Sequence, residues 1–267
     1  RKLLKSELLK LRRCQILLVG LVALALCPIV QYGSQLIVEE EYRNPDYNFQ
    51  TLFENVVWGN TQMFFPISLV MIGGWLIDRE SAHDTLKNIM TIPVPMPKLL
   101  GVKLLLTVML TALLGIYSVG VTLLTGLAVG LPGLTGEVVL HGGMQIVTAA
   151  LLTCLVCMPL ILIFGQIRGA YLGGSILAFF LGYSMMFFKG GVLASIYPFS
   201  AALILAGFDM SGYAGTTTPP NPLLAAAGIF FMVLWTAVLL MMSGRKKEMK
   251  PGKRKNGRKR AGSRRKS

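Results

Sequence analysis

The 267 residues have a mean hydropathy of +0.62, with 54% apolar and only 14% charged side chains, where a soluble globular chain carries about 25% charged, and this excludes an ordinary soluble domain. At about 20 apolar residues per spanning helix, the length holds about six spans with short loops. The net charge of +14 is local: from Arg245 onward there are thirteen Lys/Arg against Glu248 alone, so the rest of the chain is nearly neutral.

Taken in chain order, residues 1–13 read as an amphipathic interfacial helix, with Leu4, Leu8 and Leu11 on one face and Lys2, Lys5, Arg12 and Arg13 opposite. Candidate spans follow at 14–37, 61–77, 104–130, 144–166, 170–188 and 222–243, none with an ionised residue away from its ends. The first follows basic residues as a signal peptide would, but it is about 24 residues long without a small-x-small cleavage site, and it reads as a retained span. Residues 38–60 read as a loop that holds Glu39, Glu40, Glu41, Asp46 and Glu54 against Arg43. Residues 191–207 are apolar but broken by Pro198, and they read as a re-entrant or interfacial helical pair on the outer side. Residues 209–221 carry turn chemistry.

Lys/Arg placement sets the orientation. With both ends cytoplasmic, the inner segments hold the N-terminal basic residues, then Arg79, Lys87, Lys98 and Lys103, then Arg168 and the tail, while the outer segments hold only Arg43 and Lys189. The expected architecture is an all-α polytopic membrane protein of six spans. Residues 14–243 form a single membrane domain, and 244–267 a basic, disordered cytoplasmic tail.

The chain shows no glycine-rich phosphate loop and no H-E-x-x-H, and its two histidines, His83 and His141, lie on opposite sides of the membrane. No acid or base sits mid-membrane to relay ions, which favours an energy source in another subunit. Cys154 and Cys157 have helical spacing but no second ligand pair, and packing is the plainer reading. The pairs Gly126/Gly130, Gly165/Gly169 and Gly169/Gly173 permit close helix contact, though the first two lie near span ends where turns are as good a reading. Gln62, Tyr117, Ser118, Thr148 and Tyr183 are candidate pathway-lining residues or, equally, interhelical hydrogen bonds. Glu39, Glu40 and Glu41 are a candidate outer contact for a cationic substrate; the plainer reading is a solvated acidic face.

The richest segment is the inner loop 78–103. Glu80, His83, Asp84 and Lys87 have near-helical spacing with Leu86, Ile89 and Met90 on an apolar side, which predicts a short surface helix over about 79–90. Glu80 directly after the second span, then Thr85, Leu86 and Lys87, then Pro93, Lys98 and Lys103, resemble the permeases of the type-two ABC exporter family. That family usually has Gly where this chain has Asp84. The resemblance extends to layout: interfacial helix, six spans, a cytoplasmic coupling helix between the second and third, and an outer re-entrant pair before the sixth. It implies that Arg79, Glu80, His83, Asp84, Thr85 and Lys87 contact a cytoplasmic ABC ATPase, in two copies, and that a second permease, identical or homologous, completes the pathway. No cofactor is then bound by this chain, and ATP and Mg belong to the ATPase.

A permease of this size without a large outer domain is most similar to the lantibiotic and bacitracin self-protection exporters, which implies a bacterial plasma membrane and an amphipathic or hydrophobic substrate such as an antimicrobial peptide. The tail suits anionic lipid at about 1 kcal/mol per charge near the surface and lacks the interleaved aromatics of a nucleic-acid binder. Two rival classes remain: a non-transporting sensor or assembly partner, against which the charged 79–90 segment argues, and a membrane-embedded enzyme, which needs a richer cluster than Asp78, Glu80, His83 and Asp84.

Overall fold

A computed structural model describes residues 15–39, 41, 44–82, 96–188, 190–211 and 219–248, with backbone only at 80–82 and 244–248. The described residues form helices joined by turns, with no strand among them. The N-terminal helix expected over 1–13, most of the 79–90 segment and the tail beyond 248 lie outside the described residues.

Helix α1 (Ile16–Ile37) buries one stripe, Gly20, Leu24, Cys27 and Pro28, at helical spacing. Leu18, Val22, Leu26, Ile29 and Val30 around the rest of its circumference are exposed. Gly20 is small because Ile72 lies against it: an added Cβ would stand 2.7 Å from Ile72 Cδ1.

The second span begins well before the expected residue 61. Helix α2 (Phe49–Gly59) runs through a π segment (Asn60–Phe64) into α3 (Phe65–Ala82), without a break. Asn48 starts it: its Oδ1 accepts from the Thr51 N–H at 3.0 Å and from Thr51 Oγ1 at 3.2 Å, an N-cap. Phe49, Leu52, Phe53, Val56 and Val57 then recur at helical spacing and are all buried. Averaged hydropathy hides this half-span because Gln50, Glu54, Asn55, Asn60, Thr61 and Gln62 are interleaved with the apolar stripe. The loop expected over 38–60 is therefore confined to the residues before Phe49.

Helix α4 (Met96–Val129) likewise starts earlier than expected, with Pro97 in its first turn where a missing N–H costs nothing. Lys103 thereby falls two turns inside a helix, not at its mouth. Helix α5 (Gly136–Gly165) is capped by Thr135, whose Oγ1 accepts from the Val138 N–H at 3.3 Å, and Glu137 sits in its first turn. In the α4–α5 turn, Gly130 and Gly133 take φ of 74° and 83°, and the Pro132 carbonyl accepts from the Phe49 N–H at 3.1 Å. That bond ties the turn to the start of α2.

Helix α6 (Tyr171–Tyr183) ends in a 3-10 turn (Ser184–Phe187). The stretch 191–207 folds as two short helices, α7 (Gly191–Ile196) and α8 (Pro198–Leu205), separated by extended Tyr197 with Pro198 opening α8. Ser200 repairs the break, donating to the Ala194 carbonyl and approaching the Tyr197 carbonyl at 3.1 Å. Helix α9 (Pro222–Glu248) follows, with the Asn221 N–H held by Ser195 Oγ at 3.0 Å.

Among the described residues, five helices are long and apolar enough to cross a membrane: Ile16–Ile37, Phe49–Arg79, Met96–Val129, Gly136–Gly165 and Pro222–Ser243. The expected fifth span corresponds to the shorter apolar piece Tyr171–Phe187. Helices α3 and α5 cross at backbone contact, where a Cβ on Gly165 would stand 3.0 Å from the Gly74 carbonyl oxygen. The glycine pairs thus divide by role. Gly165 and Gly126 serve packing, Gly126 against the Phe49 ring; Gly130 and Gly169, with positive φ, serve turns; and Gly173 has nothing beside it.

Candidate functional site

Among the described residues, polar regions interrupt the apolar bundle, and three of them matter here. The first runs through its interior. On α4, Lys103, Thr107, Thr111, Ser118 and Thr122 are all buried and fall on one stripe, about 28 Å along the axis at 1.5 Å per residue. Thr107, Thr111 and Thr122 donate to the carbonyls four residues back at 3.0, 2.8 and 2.7 Å, so their hydroxyls are satisfied within the helix. Ser118 instead reaches across: Asn60 Nδ2 in the π segment donates to its Oγ at 2.9 Å.

The π segment places three consecutive polar side chains, Asn60, Thr61 and Gln62, in the buried interior. Asn60 Oδ1, Thr61 Oγ1 and Gln62 Nε2 are buried without a hydrogen-bond partner, as are Ser68 Oγ one turn on and Thr153 Oγ1 in α5. Each such atom costs about 1–3 kcal/mol. The segment is wedged among three helices. Beside Gly59 lies Gln31 of α1, beside Asn60 lies Ser118 of α4, and the Gln62 carbonyl lies against Gly182 of α6.

The second region lies at the end of the bundle where α3 leaves for the 83–95 stretch and α4 returns from it. Lys103 Nζ donates to the Leu76 carbonyl, and Asp78 Oδ1 accepts from the Gly169 N–H at 3.2 Å in the α5–α6 turn. The Arg79 guanidinium stands 5.2 Å from the centre of the Trp75 ring, a cation–π contact. All three charged groups are buried or nearly so. They bind the roots of α3 and α4 to each other and to α6.

The third region is a cavity of about 370 Å³ at the opposite end, between α2 and α5, lined by Gln50, Phe53, Glu54, Glu137, Val138, His141, Gly142 and Gln145. Gln50 Nε2 donates to Glu54 Oε1 at 2.9 Å, and Gln145 Nε2 to the Gly207 carbonyl at 2.8 Å. Two carboxylates, one imidazole and two amides around one hollow can receive a cationic or hydrogen-bonding group.

The sequence candidates scatter over these regions. Gln62 and Ser118 belong to the interior seam. Tyr117 is half-buried on α4. Thr148 lines a groove of about 1030 Å³ between α4 and α5. Tyr183 is exposed on α6, its ring 6.1 Å from Phe179. Arg79 is in the second region, Glu80 is known by its backbone alone, and His83, Asp84, Thr85 and Lys87 lie outside the described residues. Glu39 and Glu41 are exposed beyond α1, away from the lining of the 370 Å³ cavity, and Glu40 is not described. Sequence reasoning passed over Asn60 and Thr61, and also Glu54, Glu137 and His141 as a group. The signal for the last was the four-residue spacing of Gln50/Glu54 and of Glu137/His141 on two helix starts.

No curated protein matches the chain. A family model described as "ABC-2 family transporter protein" matches residues 3–185, more than two thirds of the sequence, from the N-terminal segment through α6. With apolar helices long enough to cross a membrane and the polar interior described above, the chain belongs to the ABC-2 transporter family as a membrane permease subunit, a family whose permeases work with an ATPase and a partner permease.

Proposed function

We propose that this chain forms half of the pathway of an ATP-driven exporter in a bacterial plasma membrane, with both termini cytoplasmic and Tyr171–Phe187 as its sixth, short span. The chain itself performs no covalent chemistry; ATP and Mg are bound by the partner ATPase, present in two copies. Residues 79–90 are the coupling helix, with Arg79, Glu80, His83, Asp84, Thr85 and Lys87 against the ATPase, and α7 and α8 are the outer re-entrant pair.

The observation that carries this reading is the clamp at the roots of α3 and α4. A docking segment transmits force only if its two ends are fixed to the elements that move. Lys103 to Leu76 and Asp78 to Gly169 supply that fixing through buried contacts, with hydrogen bonds to charged groups contributing about 1.5–3 kcal/mol each.

The substrate is an amphipathic or hydrophobic compound with cationic groups, of which an antimicrobial peptide is the leading case. The cavity lined by Glu54, Glu137 and His141 offers anionic groups at the outer end in this orientation, and Glu39 to Glu41 add charge that speeds encounter. The basic tail holds to anionic lipid.

Purification from native membranes in mild detergent, with identification of associated chains and an ATP hydrolysis assay, tests the reading. It stands if a Walker-motif ATPase copurifies and if Glu80→Lys or Asp84→Lys lowers that association and the hydrolysis rate while the chain still inserts. Unchanged association in both variants removes the coupling-helix assignment.

A further inference from the structure

We propose that Asn60–Phe64 is a register switch in the second span, at which the extra residue of the π segment moves along the helix and turns the residues it passes, and that the turned state wets Asn60, Thr61 and Gln62 as part of the pathway wall. The inference rests on the permease reading and extends it to named residues.

A π segment holds one residue more per turn than the helix on either side. Here the Phe65 N–H reaches the Asn60 carbonyl, while the Asn60 N–H is shared between the carbonyls of Val56 and Val57. Passing that extra residue along the helix turns each residue it passes by about 100° about the helix axis and shifts it by about 1.5 Å, while the anchored ends of α2 and α3 keep their places. Each step of the movement exchanges one backbone hydrogen bond, from the carbonyl five residues back to the one four back or the reverse, so the number of bonds is kept. Such segments recur at functional sites in helices.

Direction comes from the unsatisfied atoms. Asn60 Oδ1, Thr61 Oγ1 and Gln62 Nε2 belong to three consecutive residues, and consecutive helical residues face different ways. No one neighbouring helix can satisfy all three. A second copy of the chain cannot reach them either, since each is already enclosed within this chain. The described conformation therefore leaves buried hydrogen-bonding capacity that only water or a solute, admitted by movement, can meet. The groups are neutral amides and a hydroxyl, so the chamber they would line suits water and uncharged hydrogen-bonding groups and holds no fixed charge to trap a cation.

Movement is directed by what holds each side. The start of α2 is tied to the α4–α5 turn through the Phe49 N–H and Pro132, and the end of α3 is clamped through Lys103 and Asp78. Between these anchors the π segment is where the helix can yield.

Two measurements test the switch. In a background with Cys14, Cys27, Cys154 and Cys157 replaced by Ala, single substitutions Asn60→Cys, Thr61→Cys and Gln62→Cys are made in the full transporter in membranes and exposed to a charged methanethiosulfonate reagent. The control is Val70→Cys, on the same helix, where Val70 is fully buried and apolar. Labelling at one or more of positions 60–62 at least tenfold faster in one nucleotide state than in the other, with Val70→Cys inert in both, supports the switch. Inertness at 60–62 in every state, or equal labelling at Val70→Cys, overturns it.

The second measurement uses the purified chain without any ATPase. Thr61→Val, nearly isosteric, should raise the thermal midpoint by a few degrees because it removes an unsatisfied buried hydroxyl, and in the complex it should lower ATP turnover several-fold because the wetted state loses a polar group. A lowered midpoint means that the hydroxyl is partnered and overturns the proposal. If no ATPase accompanies the chain, the exporter reading fails on its own test, and the Thr61→Val midpoint decides whether the π segment holds an unsatisfied buried hydroxyl.

Discussion

The second span and the first are neighbours with opposite characters. In the 31-residue helix Phe49–Arg79, 78% of the most apolar window is buried inside the chain, against 22% for Ile16–Ile37. Yet the buried helix is the less apolar of the two, and it carries Asn60, Thr61, Gln62, Ser68, Asp78 and Arg79. In a bilayer this inversion is expected. Lipid accepts Leu18, Val22 and Leu26 as readily as a protein core would, so hydrophobicity does not sort residues inward, whereas polar side chains must be taken from lipid and find partners within the bundle.

Substitutions that separate the two helices test this contrast. Phe53→Ala, in the fully packed part of α2 against Gly142, should destabilise the chain by about 3–5 kcal/mol, whereas Leu26→Ala on the lipid-facing side of α1 should change stability within about 0.5 kcal/mol. Equal effects in denaturation from detergent micelles would break the comparison. Gly182→Ala places a methyl group against the Gln62 carbonyl and 3.0 Å from Pro66 Cγ, and should cost about 1–3 kcal/mol, while Gly120→Ala, with nothing beside it, should be neutral or slightly stabilising. A thermal shift assay on both variants measures the difference. Lys103→Met keeps the apolar stem and removes the bond to Leu76; the expected loss is about 2 kcal/mol, with ATP turnover in the complex falling more than stability explains. The smallest effect is the Asn60–Ser118 pair, for which a double-mutant cycle with Asn60→Leu and Ser118→Ala should return a coupling of about 0.6 kcal/mol.

The helical class was legible from composition and span lengths, because a chain this apolar must satisfy its backbone within each segment. Span starts were not. Asn48 and Thr135 are N-cap residues and Pro97 is a first-turn proline, all readable locally, but hydropathy averaging outweighed them and placed the second, third and fourth spans late. Pro198 did mark a break, because a proline acts on its own neighbours regardless of tertiary packing. The candidate sites were legible in part. Gln62 and Ser118 stand out as polar residues in apolar runs, but that Asn60 and not Gln62 reaches Ser118 depends on the π segment, and no single-sequence periodicity announces an extra residue in a turn. The grouping of Glu54 with Glu137 and His141 depends on α2 and α5 meeting, a long-range fact invisible to spacing.

The unequal helix lengths have a mechanical consequence for the surrounding bilayer. Tyr171–Phe187 is 17 residues, about 25 Å at helical rise, while Met96–Val129 is 34 residues, about 51 Å. A hydrocarbon layer is about 30 Å thick. With Tyr171–Phe187 as the proposed sixth span, lipids beside the exposed Leu172, Ile176 and Phe180 would shorten to meet α6, whereas α4 overshoots and would tilt or protrude. On that proposal the bilayer is thinned on one flank, and transport should be graded by acyl-chain length, highest in bilayers whose thickness relieves the mismatch at α6.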